Sequence, residues 1–85
     1  MIMFCNFNMF DVNSQVVSVE SNGTMKSLFS GNFEDICEFM AGEYQNNDYE
    51  KIVLAGPYAE AVEDRVIAYS KANYSFDNIN IEVIE

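Results

Sequence analysis

Lys51-Ile52-Val53-Leu54-Ala55 is a short apolar run, and Gly56-Pro57 cuts it off. An amphipathic run follows from Ala59 to Asn73, and then a second strand-like run from Ile79 to Ile84. Strand, tight turn, helix and strand in that order make a βαβ unit, whose two strands pair in parallel. Pro57 stands where the chain enters the helix and needs no amide donor. Ala59, Val62, Val66 and Tyr69 recur at helical spacing and are expected to face inward, with Glu60, Glu63 and Asp64 in the first turns. Asn73–Asn78 reads as a polar loop. The last strand sets Ile79, Ile81 and Val83 against Asn80, Glu82 and Ile84, the pattern of an edge strand with one wetter face.

Upstream, Ile2–Phe10 also alternates. Met3, Cys5, Phe7 and Met9 share one face, and Ile2, Phe4, Asn6, Asn8 and Phe10 share the other. One face is wholly apolar and the other partly so, as in a central strand covered on both sides. Asp11-Val12-Asn13-Ser14 reads as a turn, and Gln15–Ser21 as a second strand. Asn22-Gly23 signals a type I′ hairpin into a third strand, Thr24–Phe29. Asn32 is an expected N-cap with Asp35 at N3. Phe33, Ile36, Cys37, Met40 and Tyr44 form a stripe at helical spacing, with Glu34, Asp35 and Glu38 opposite. Gln45-Asn46-Asn47-Asp48 ends that helix.

The expected architecture is therefore one α/β domain over residues 1–85, with element order β-β-β-α-β-α-β. Right-handed crossovers from a meander into parallel strands favour a five-stranded mixed sheet of order 3-2-1-4-5. The helices cover either one face each or both the same face.

This order resembles the ribonuclease H-like fold, including its actin-like and resolvase-like branches, over essentially the whole chain and as topology rather than motif. Nucleases of that family carry acids inside the first strand, in or near the first helix and just after the fourth strand. These hold two divalent ions that activate water for phosphodiester cleavage. Here the first strand reads Phe4-Cys5-Asn6-Phe7-Asn8, so Asn6 or Asn8 replaces the inward acid. The fourth strand ends Leu54-Ala55-Gly56-Pro57 without an acid. Glu34 and Glu38 match the helix acid, and Asp11 reads as a turn residue. The resemblance implies a degenerate scaffold with no nuclease activity, no metal site and no cofactor. The phosphate-binding branch needs glycine-rich turns. Gly56 stands alone, and Glu60, Glu63 and Asp64 behind it would repel a phosphate.

Composition narrows the chemistry further. Fourteen acids face four bases, a formal charge of −10. Direct nucleic-acid binding needs clustered cations, and Lys26, Lys51, Arg65 and Lys71 are scattered. A protein partner with a basic surface is favoured instead, and the same charge serves solubility. The chain has two cysteines, no CxxC and no histidine, which excludes the usual Cys/His zinc sites and a serine–histidine nucleophile. Cys5 and Cys37 read as reduced core residues of a cytoplasmic protein. Met1–Phe10 lacks the basic start and apolar length of a signal peptide or membrane span. Asn46-Asn47-Asp48-Tyr49-Glu50 is only a fragment of a calcium loop.

Glu34–Glu50 contains six acids and no base. The residues expected to meet a partner are Glu34, Asp35, Glu38 and Glu43, with Phe39 among them as an aromatic anchor. The resulting expectation is a small, acidic, non-catalytic interaction protein. By analogy, such proteins are frequent products of phages and mobile elements that inhibit basic, nucleic-acid-handling host proteins. Two other classes stand beside it: a metal-dependent nuclease with an unusual acid set, and an assembly protein that self-associates through its edge strand.

Overall fold

A computed structural model describes residues 1–7, 14–74 and 79–84. It shows an α/β fold in which β1 (Ile2–Asn6), β2 (Ser14–Val19), β3 (Met25–Gly31), β4 (Lys51–Ala55) and β5 (Ile81–Ile84) form one mixed sheet of order β3-β2-β1-β4-β5. Two helices complete it, α1 (Phe33–Asn46) between β3 and β4, and α2 (Ala59–Tyr74) between β4 and β5. β1 is antiparallel to β2 and parallel to β4, and β4 is parallel to β5. The expected strand order and βαβ unit are both present.

The two helices pack against each other, α1 over β2 and β3 and α2 over β4 and β5. Handedness explains why they share a face. The connections β3→β4 and β4→β5 run the same way across the sheet, so two right-handed crossovers deposit their helices on one side. Met3, Cys5 and Phe7 of the first strand and its exit, Val16 of β2, and Ile52 and Leu54 of β4 meet Ile36, Cys37, Met40, Val62 and Val66 there in one buried core. The alternate set, Ile2, Phe4, Val17, Val19 and Val53, points to the opposite face, which no described helix covers.

Local details depart from the expected boundaries. β1 ends at Asn6, and Phe7 continues by donating its amide to the Ala55 carbonyl (3.0 Å). Asn8, Met9, Phe10 and the expected turn residues Asp11, Val12 and Asn13 lie outside the described residues, as does most of the Asn73–Asn78 loop. Ser14 belongs to β2 rather than to a turn. The hairpin has three loop residues, not two. Gly23 N–H donates to Glu20 O, Glu20 N–H donates to Thr24 O (both 2.9 Å), and Gly23 takes φ 88°. That is a three-residue loop, Ser21-Asn22-Gly23, with glycine in the left-handed position, in place of the two-residue type I′ turn. β3 runs on to Gly31 and is bulged at Leu28, because Val16 faces Phe29 while Val17 faces Ser27. The bulge brings Leu28 and Phe29 both against the core.

α1 starts as the sequence predicts, with the Asn32 side chain accepting from the Asp35 amide (2.9 Å). α2 starts later than Pro57. Gly56 O accepts from Ala59 N (3.2 Å), so Pro57 occupies the turn before the helix, where its fixed φ suits the second position. Gly56 has φ 97°, and a Cβ there would collide with the Phe7 carbonyl oxygen. Glycine is therefore required where β4 leaves the sheet beside the first strand. In α2, Ser70 is fully buried after Val66, following the four-residue ridge from Val62, and Tyr69 is half-buried against the core as expected. No helix among the described residues is long and apolar enough to cross a membrane.

Candidate functional site

The residues of the acidic helix divide into two places. Asp35, Glu38 and Glu43 of α1 border a groove of about 420 Å³ together with Phe39, Phe29 of β3 and Tyr74 of α2. The helix repeat brings them there, because Asp35, Glu38/Phe39 and Gly42/Glu43 are successive turns of one side. Gly42 lets the Tyr74 ring lie close, since a Cβ on it would stand 3.0 Å from the Tyr74 hydroxyl.

Phe39 stacks on Phe29 at 4.7 Å between centroids and 8° between planes. It is half-buried, so it ties α1 to the edge strand β3 as well as walling the groove. The sequence alone could not pair these rings, because the bulge in β3 decides where Phe29 points. Glu43 accepts a hydrogen bond from the buried Tyr49 hydroxyl (2.6 Å), and burial together with this bond pushes the Tyr49 phenol up. Among the described residues no base pairs with Asp35, Glu38 or Glu43.

Glu34 is elsewhere. Its carboxylate accepts from Tyr69 Oη (2.7 Å) and from Arg65 Nε (3.1 Å), on the seam between α1 and α2. The Tyr69 bond first, and Arg65 after it, hold the Glu34 carboxyl below its usual range. Arg65 lies over the Tyr69 ring at 5.3 Å, which closes the triad. Glu34 therefore joins the helices, and Tyr69 and Arg65 are partners that its position in the sequence did not reveal.

A second groove of about 410 Å³ opens at the carboxyl ends of β4 and β5, lined by Gly56, Pro57, Ala59, Glu60, Val83 and Ile84. Ligands of open parallel sheets commonly sit at such ends, yet the charged wall residue among the described residues, Glu60, is an acid. Cys5 and Cys37 are free, buried thiols of one core. Burial pushes Cys5 up to about 11, and burial with the charges of Glu34 and Cys5 pushes Cys37 up to about 12. Neither is a nucleophile at neutral pH. Among the described residues no three cysteine or acid side chains converge as metal ligands. Asn6 is exposed at the end of β1, and Asn8 and Asp11 lie outside the described residues.

No protein-family model matches the chain, and no curated protein compared with it matches either.

Proposed function

We propose that this chain is a small, acidic, non-catalytic interaction module that docks a basic protein through the α1 groove. One observation carries the reading: Asp35, Glu38 and Glu43 surround aromatic walls, Phe39 and Tyr74, and no described base faces them. Such a groove suits an arginine or lysine side chain, whose charge meets the carboxylates while its flat or aliphatic part covers a ring. The net charge of −10 would steer a basic partner toward it. The scaffold we propose is ribonuclease H-like. The element order and the strand order 3-2-1-4-5 support that assignment. Asn6 on β1 and Gly56-Pro57 after β4, at two of that fold's acid positions, support a role without catalysis. On this reading the partner is a nucleic-acid-handling protein whose basic groove is occupied, the mode of a cytoplasmic viral or mobile-element inhibitor.

The test is affinity capture from the lysate of the source cells at low salt, using wild type and Asp35→Lys/Glu38→Lys. Neither altered side chain belongs to the core, so the variant should fold normally. The proposal expects basic proteins held by wild type, lost from the variant and stripped by about 0.5 M salt as the charges are screened. Equal retention by both proteins would remove α1 from the interface.

A further inference from the structure

The face of the sheet that no described helix covers is apolar at its centre and polar toward its ends, where Asn6, the Gln15–Ser27 hydrogen bond and the Lys51–Glu82 pair lie. Ile2 and Phe4 of β1, Val17 and Val19 of β2, and Val53 of β4 occupy its centre. Val53, paired with Phe4 and Glu82, is 8% exposed and lies outside the helix-covered core. Met25 of β3 (62% exposed) and Ile84 of β5 (47% exposed) extend the patch to both edges. Contiguous apolar surface of this kind marks a contact site.

Charge says what fits there. The acids of the described elements lie on the helices, except Glu82, and Glu82 pairs with Lys51 on the bare face itself (2.7 Å). That face is locally neutral on a chain of formal charge −10. A basic partner has nothing to gain from it. A second copy does, because back-to-back sheets ~10 Å apart leave the two acidic helix layers on opposite outer sides. That separation exceeds the ~8 Å Debye length at physiological salt.

Area agrees. Five strands at ~4.8 Å spacing and about five residues each span roughly 400 Å² in plan. Two such faces together present roughly 800 Å², the range of small, concentration-dependent interfaces. We infer that the bare sheet face is a homodimer interface, two copies packing sheet to sheet about a two-fold axis. The groove on α1 stays open in this dimer, so each dimer presents two acidic docking sites.

Sedimentation of the full chain over a wide concentration range tests this. A dimer of twice 9.7 kDa is expected at tens of micromolar, tightening with salt as like charges are screened. Val17→Lys/Val19→Lys should give a monomer with unchanged circular dichroism. The charge-matched control Glu60→Gln/Asp64→Asn, on the outside of α2, should stay dimeric. A wild type that remains monomeric at every concentration overturns the inference. So does a dimer indifferent to Val17 and Val19, which would belong to an edge strand. If the double lysine variant does not fold, peroxide oxidation of Met25 in wild type decides. Slower oxidation in concentrated than in dilute protein supports the interface, and equal rates refute it.

Discussion

The two faces of the sheet are built from the same strands, one residue out of phase, and they have different fates. On the helix side Val16, Cys5 and Leu54 disappear beneath α1 and α2. On the other side Val17, Phe4 and Val53 are equally apolar, but no described helix covers them. The charge of the described elements is divided in the same way, acids on the helices and the Lys51–Glu82 pair on the uncovered face. Handedness causes the asymmetry. Two right-handed crossovers in one direction spend both helices on one face, while the strand sequences are written for cover on both.

Adjacent valines put the contrast to its most direct test. Val16→Ala should cost about 2–3 kcal/mol in urea unfolding, because it leaves a cavity in a closed core. Val17→Ala should cost under about 1 kcal/mol in dilute protein, where its methyls border water. The gap should narrow as concentration rises, if a second copy covers Val17. Equal costs at low concentration would show that the bare face is already sealed.

A weaker effect distinguishes the covered face at alkaline pH. The folded-state thiols of Cys5 and Cys37 are raised to about 11 and about 12. A raised pKa gives stability that is complete below the unfolded value, near ~8.5. It is lost as the unfolded thiols ionise and the folded ones do not. Midpoints in urea should therefore fall from about pH 9 toward pH 11, and Cys37→Ala should flatten the fall. Thiol reagent should react with native protein only as fast as the core opens.

Ser70 is a smaller flaw in that same layer. Its hydroxyl is buried and has no hydrogen-bond partner among the described residues. Ser70→Ala should raise stability by about 1 kcal/mol, since the unsatisfied group disappears without leaving a large cavity. A loss instead would reveal a partner for the hydroxyl.

The smallest change concerns the helix side's outer rim. Glu34 is exposed, and its lowered pKa gives stability present above its ordinary value and lost as pH falls through the folded one. Glu34→Gln should lower the melting temperature slightly at pH 7 and not at pH 3. It should leave capture of a basic partner nearly intact, unlike Asp35→Lys/Glu38→Lys. An equal loss of capture would return Glu34 to the docking surface.

The sequence by itself determined what depends on neighbours along the chain. The 3.6-residue stripe of Ile36, Cys37 and Met40, the Asn32 cap and the period-two runs set element type and order. The βαβ unit, with its fixed hand, then determined strand order. Only the tertiary structure decided that the helices cover Val16 and Ser18 of β2 rather than the more apolar Val17 and Val19, since pairing with β1 sets that register. It also decided that Phe39 meets Phe29 across a bulge, and that Glu34 leaves the acidic cluster to bind Arg65 and Tyr69. These pairs lie up to 35 residues apart in sequence, and only their three-dimensional packing brings them together.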